Sequence, residues 1–128
     1  MLPSMRTSPA MRKFGGQRDR RLLDSSPTTL RPLQAAAVAA TPERPGVYFL
    51  YREGRLVYIG LAAPGTTVRR ELRRLIEGDR PDIAATAFDC LAAEDPVPLY
   101  RRCMLRYVEI HDGVLPACNK VALMRRPR

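Results

Sequence analysis

Residues 45–60 read PGVYFLYREGRLVYIG. Two runs rich in β-branched and aromatic residues, GVYFLYR and LVYIG, flank the tripeptide EGR, where Gly54 can supply the positive φ of a tight turn. The spacing predicts an antiparallel hairpin. Alternation along the first run places Tyr48 on the same face as Leu50, with Phe49 and Tyr51 on the other. Only 6% of the chain is aromatic, so a tyrosine on each of two paired strands, Tyr48 and Tyr58, asks for an explanation.

Beyond the hairpin, LAAPGTT is a loop and VRRELRRLIEG a helix that starts at a Thr67 cap and stops at Gly78. Its apolar residues Val68, Leu72, Leu75 and Ile76 fall at i, i+4, i+7 and i+8, which predicts one stripe packed on the hairpin. The other face is basic, with Arg69, Arg70 and Arg73 as phosphate-binding candidates. ATAFDCLAA, residues 85–93, predicts a third strand, broken by Asp95-Pro96. LYRRCMLRYVEIHDG predicts a second helix ending in the Asp112-Gly113 turn. The order is ββαβα. The expected fold is α+β, a three-stranded, mainly antiparallel sheet with flanking helices.

Upstream, residues 1–29 carry scattered prolines, the pair Gly15-Gly16 and the basic cluster MRKFGGQRDRRLL, with no sustained apolar period. A short alanine-rich helix is expected near residues 33–40. The organisation expected is a basic arm over residues 1–41, a domain over 42–120 and a basic tail over 121–128. Asp19 and Asp24 weigh against a mitochondrial presequence. Cys90, Cys103 and Cys118 are an odd number without a C-x-x-C pair, which fits reduced thiols and neither a disulfide framework nor a zinc ribbon. A Cys3His zinc site with His111 has no motif spacing behind it. No run approaches the ~20 apolar residues of a membrane span. The expectation is a soluble intracellular protein, cytoplasmic or organellar, with no membrane partner.

Charge narrows the partner. The chain has 22 Lys+Arg against 13 Asp+Glu, a formal net charge of +9, enough to attract polyanions at long range. Nucleic acid, DNA or RNA, is the expected partner, although an Ala- and Arg-rich composition is itself a source of basic charge.

A hairpin with Gly46-Val47-Tyr48 on one strand and Tyr58-Ile59-Gly60 on the next, then a basic helix, a strand, a helix and Pro116-Ala117-Cys118-Asn119, resembles the GIY-YIG endonuclease superfamily over roughly residues 42–120. The resemblance implies Mg²⁺- or Mn²⁺-assisted hydrolysis of a phosphodiester. In the family the working parts are the two motif tyrosines, an arginine on the first helix, a glutamate on the second and an asparagine after it. Tyr48, Tyr58 and Asn119 match directly.

Two positions depart from that pattern. Where the family has its helix arginine, in a form like Leu-x-x-Arg-Leu, the run VRREL has Glu71. Where the family has its metal-binding glutamate, RRCMLRYVEI has Cys103. A thiolate is a poor ligand for Mg²⁺, and a cysteine in such a helix reads as a small buried core residue. Loss of one transition-state stabiliser typically costs ~10²- to 10³-fold in rate. The expected function is therefore a nucleic-acid-binding domain with weak or lost cleavage, acting as a binding or assembly subunit. One alternative is an active, rearranged site in which Arg74 reaches the phosphate, rather than pairing with Glu71 at i,i+3, and Glu109 or Glu71 holds the metal. Another is a module that binds only protein, its arm threaded into a larger protein or ribonucleoprotein assembly.

Overall fold

A computed structural model describes residues 30–119. The arm up to residue 29 and the 121–128 tail expected from the sequence lie outside the described residues. In chain order the described elements are β1 (Arg31–Pro32), α1 (Ala35–Ala39), β2 (Gly46–Arg52), β3 (Arg55–Ala62), α2 (Val68–Ile76), β4 (Ala87–Ala92) and α3 (Pro96–Ile110). The strands form one open antiparallel sheet in the order β1-β4-β2-β3. The class is α+β, as expected.

Strand β2 lies between β3 and β4 and is covered on both faces, which is why GVYFLYR is almost continuously apolar. Tyr48 and Leu50 face a cluster containing Val38 of α1, Val68 and Leu72 of α2, and Phe88 of β4. Val47, Phe49 and Tyr51 face a second cluster with Leu56, Ile59, Cys103 and Tyr107. Helices α1 and α2 thus cover one face of the sheet and α3 the other.

The hairpin turn uses two left-handed residues, Glu53 (φ 53°) and Gly54 (φ 79°), the pattern whose twist suits a two-residue connection. Leu50 is opposite Tyr58, yet Tyr51 is opposite Leu56, so Val57 is one residue too many. This bulge has a directional consequence. Leu56 and Tyr58, two apart, belong to one face in a regular strand; here Leu56 sits in the α3 cluster while Tyr58 packs against the α2 cluster, beside Tyr48.

Helix α2 begins as expected, with the Thr67 hydroxyl accepting a hydrogen bond from the Arg70 backbone N–H at 3.1 Å, and ends at a Glu77 cap before left-handed Gly78. Val68 and Leu72 are fully buried and Leu75 packs on the core, whereas Ile76, expected in the same stripe, is exposed. Helix α3 starts earlier than the sequence suggested. Asp95-Pro96 is its opening, not a break, because a proline at the first helical position lacks only an N–H that has no intrahelical partner anyway.

The sheet has four strands, not three. Arg31 pairs with Phe88 and Pro32 with Ala87, and a proline is tolerated there because β1 is the sheet edge. The Arg31 guanidinium holds β1 in place: it lies 5.0 Å from the Phe88 ring centroid and 3.7 Å from the buried Asp89 carboxylate. The expected alanine-rich helix is α1, and its Val38 is buried in the core. Residues 30–41, read as the end of the arm, therefore take part in the fold. Among the described residues no helix is long and apolar enough to cross a membrane.

At Gly46 there is no room for a side chain between β2 and β4. A Cβ there would overlap the Leu91 carbonyl oxygen and lie 2.9 Å from the Ala92 Cα and 3.0 Å from a Val68 methyl. Backbone atoms on the neighbouring strand cannot rotate aside. Gly46→Ala is expected to lower the thermal midpoint by at least about 5 °C, the effect of ~1–3 kcal/mol of overpacking in a domain of this size. An unchanged midpoint in a calorimetric or circular-dichroism melt would mean that the strands do not meet in this register.

Candidate functional site

Tyr48 projects from β2 and Tyr58 from β3, with ring centroids 6.2 Å apart and planes tilted by 42°. The ring of Tyr48 lies across Gly60; a Cβ at position 60 would overlap the ring and its hydroxyl. The missing side chain makes the slot. Tyr48 is 6% exposed, and burial pushes its phenol far above the ordinary tyrosine value. The neighbouring Tyr58 phenol and then the Glu71 carboxylate add to that rise, while the Arg80 guanidinium opposes it. Tyr100 is raised by burial and then by Tyr58. At neutral pH the Tyr48 hydroxyl is protonated.

The carboxylate beside this pair is Glu71, in the first turn of α2. Its Oε2 accepts a hydrogen bond from the Thr66 hydroxyl at 2.8 Å and lies 3.6 Å from Arg74 Nη1. The i,i+3 pairing is thus the arrangement adopted. Arg74 Nη2 is also 3.4 Å from Asp79, so this arginine is shared by two carboxylates.

The guanidinium at the tyrosine pair belongs to Arg80, which sequence reasoning missed. Its Cζ lies 5.4 Å from the Tyr58 ring centroid. Asp82 grips it through two hydrogen bonds, Nε to Oδ1 at 3.0 Å and Nη2 to Oδ2 at 2.9 Å. The Arg80 backbone has φ 140°, a region that favours glycine. The residue sits in a loop, where no hydrophobic period marks it. The available signal was the Arg-Pro-Asp triplet, whose turn brings the first and third side chains together.

Asn119 reaches the sheet by another route. Its Oδ1 accepts from the Ile59 N–H at 2.8 Å and its Nδ2 donates to the Ile59 carbonyl at 3.0 Å, with the side chain buried. One amide thus takes the place of a neighbouring strand along the outer edge of β3, between Tyr58 and Gly60. Asn119 is a positioning group in this structure.

The other expected residues lie elsewhere. Glu109 is on the solvent side of α3, 3.9 Å from Arg106, while Cys103 and Tyr107 of the same helix face the sheet. Since α3 covers the face opposite Tyr48 and Tyr58, Glu109 does not join them. Cys103 is wholly buried in the α3 cluster, in keeping with a core residue. Arg69 is half-buried, donating to the Thr41 carbonyl from Nε at 2.9 Å and Nη2 at 2.6 Å, and its Nη1 is 2.9 Å from Glu43. It clasps α2 to the segment after α1 rather than facing solvent as a phosphate ligand. Arg70 and Arg73 are exposed, and with Thr67, Arg69 and Glu43 they line an open cleft of about 550 Å³ at the start of α2.

Two phenols and a guanidinium can direct donors at phosphate oxygens, and Glu71 is the carboxylate that acts on Tyr48 beside them. Among the described residues no three His, Cys, Asp or Glu side chains converge. No family model, curated protein or solved structure matches the chain.

Two outcomes are expected. Asn119→Ala leaves the Ile59 N–H and carbonyl without their partner and should cost about 2–4 kcal/mol in a denaturant titration, as expected for two lost buried hydrogen bonds. A residue needed only for chemistry would leave stability unchanged. Tyr48 has a folded pKa above its unfolded value, so its contribution to stability is complete below pH ~10 and is lost as pH rises beyond it. Monitoring phenolate absorbance together with unfolding should show Tyr48 ionising only as the protein unfolds; a Tyr48→Phe variant removes that step.

Proposed function

We propose that the chain is a nucleic-acid-binding domain of GIY-YIG type whose cleavage is weak or lost, serving as a binding or assembly subunit. The observation that carries this reading is the environment of the tyrosine pair. Glu71 stands where the family pattern has an arginine, tied to Thr66 and Arg74. A carboxylate at that position repels a phosphate that a guanidinium would attract. Asn119 is committed to the Ile59 backbone, and Cys103 supplies no hard oxygen ligand. Binding survives these changes, because attraction to a phosphate backbone needs exposed cations and no chemistry. Arg70 and Arg73, on the open side of α2, supply them.

A second reading has one observation in its favour. Glu71 and Arg80 flank the same tyrosines, so a carboxylate and a guanidinium are both present, the carboxylate at the helix position where the family has its arginine and the guanidinium in the loop that follows. On that reading Glu71 holds Mg²⁺ or Mn²⁺, whose contribution would be charge neutralisation at the phosphate, while Arg80 and the phenols orient the oxygens.

The test incubates full-length protein with labelled single- and double-stranded DNA and RNA, with Mg²⁺, with Mn²⁺ and with chelator, over a range of salt. Binding that weakens with salt is expected, with little or no cutting. Replacing Arg70 and Arg73 together by alanine should reduce the slope of log K against log salt by up to about 2, the value for two lost phosphate contacts. Metal-dependent cutting that disappears in Glu71→Gln and in a Tyr48→Phe, Tyr58→Phe double variant would establish the second reading. Absence of binding at low salt would overturn both and leave a protein partner.

A further inference from the structure

On the α3 side of the sheet, a second cavity of about 770 Å³ lies between the hairpin end of β3 and the C-terminal end of α3. This is within the ~300–1,000 Å³ range of small-ligand sites. Glu53, Arg55, Leu56, Tyr107, His111 and Ala117 line it. None of these residues takes part in the tyrosine site.

Its floor is unusually well fixed. His111, one helical turn beyond Tyr107, stacks on the Tyr107 ring with centroids 3.8 Å apart and planes within 12°. Imidazole Nδ1 is 2.9 Å from the Tyr107 backbone oxygen; a carbonyl can only accept, so Nδ1 carries the proton and Nε2 is the remaining ring nitrogen. One ring face and one edge are thereby held while the side chain is still half-buried at the cavity wall. A flat aromatic surface ordered in advance costs little entropy to stack against. Tyr107 is buried in the α3 cluster, which anchors the platform to the core.

The wall supplies a cation. Arg55 is exposed at the start of β3, close enough to the Tyr107 phenol to counter the rise that burial imposes on it. Among the described residues it forms no ion pair. Arg52, its partner across the hairpin, also lines the cavity but is secured by a 2.8 Å hydrogen bond from Nη1 to the Ile83 carbonyl. A planar ring platform with a guanidinium beside it matches an aromatic base carrying a phosphate.

We propose that this cavity binds a single nucleotide unit, its base stacked on the outer face of His111 and its phosphate paired with Arg55. The unit is either a free nucleotide or one link of a single strand. The site is independent of the tyrosine pair and of the cleft at Arg70 and Arg73.

The test exploits a property of the chain: His111 is its only histidine, so the imidazole proton resonances report on this site alone. Full-length protein is titrated with AMP, adenosine, inorganic phosphate and a short oligoadenylate while those resonances are followed. AMP is expected to shift them and to bind more tightly than adenosine or phosphate. Arg55→Ala should weaken AMP about tenfold, the effect of losing one charge-assisted contact, and leave adenosine unchanged. In His111→Phe and His111→Ala, which lack the reporting imidazole, AMP binding is read by isothermal titration calorimetry: the Phe variant, which keeps a stacking surface, should retain it, whereas the Ala variant should lose it. An oligoadenylate that binds at least tenfold more tightly than AMP identifies a single strand as the source, and equal affinities identify the free nucleotide. His111 resonances unmoved by millimolar AMP, phosphate binding as tightly as AMP, or AMP binding indifferent to Arg55→Ala would each overturn the proposal. Failure of the salt-sensitive binding at Arg70 and Arg73 would not touch it, since the Arg70→Ala, Arg73→Ala variant should still show the AMP shift.

Discussion

The ring of Tyr48 lying flat across Gly60 is the contact on which the remaining geometry depends. Only a residue without a side chain fits beneath it, so this pairing fixes the register of β2 against β3. A slip by one residue would bring Ile59 or Leu61 under the ring and turn every alternate side chain to the wrong face. Once the register is fixed, the bulge at Val57 follows from burial. Both Leu56 and Tyr58 must find cover, and the extra residue sends one to the α3 face and the other to the α2 face. Asn119 then closes the outer edge of β3 at Ile59, between the tyrosine and the glycine. The position of Tyr58 is thus set from within the strand and from outside it.

Arginine content alone is a poor guide to where this chain can hold an anion, because many of the guanidinium groups already have structural partners. Arg31 secures the edge strand at Asp89 and Phe88, and Arg69 clasps Thr41 and Glu43. Arg52 caps the Ile83 carbonyl, Arg74 is shared by Glu71 and Asp79, and Arg80 is gripped by Asp82. Such contacts fix loops and helix ends more than they stabilise the fold, since exposed ion pairs contribute only ~0–1 kcal/mol each. The net charge of +9 nonetheless acts at long range whatever its local pairing. Short-range recognition falls to the exposed arginines that line clefts.

Elements with a strong period were legible in the sequence. The alternation of GVYFLYR assigned Tyr48 and Phe49 to opposite faces, and the spacing of Val68, Leu72 and Leu75 marked the buried side of α2. What lacks a period was not legible. Strand β1 is two residues long and half proline, and its pairing is set by Phe88 and Asp89 some sixty positions away. Asp95-Pro96 has the same composition whether it ends one element or opens the next; the packing of α3 decides. Tyr48, Tyr58 and Glu71 could be gathered from the chain because regular elements carry them. Arg80 could not, since its approach to Tyr58 depends on a loop with an unusual backbone angle and on Asp82. The separation of Glu109 from the tyrosines required knowing which face α3 covers.

The charges around the tyrosine pair divide attraction from chemistry. A phosphate at Tyr48 and Tyr58 would meet the Glu71 carboxylate and the Arg80 guanidinium, the latter already carrying the Asp82 carboxylate. Their fields oppose one another, so this pocket offers direction through its phenol donors but little net pull. Arg70, near the start of α2, and Arg73, in its last turn, face solvent, where a phosphate backbone gains their side-chain charges. On the proposed reading, affinity therefore comes from α2 and orientation from the tyrosines of β2 and β3. Arg70 and Arg73 point outward from α2, whereas Glu71 points to the tyrosines, and it is Glu71 that sets what a phosphate meets there.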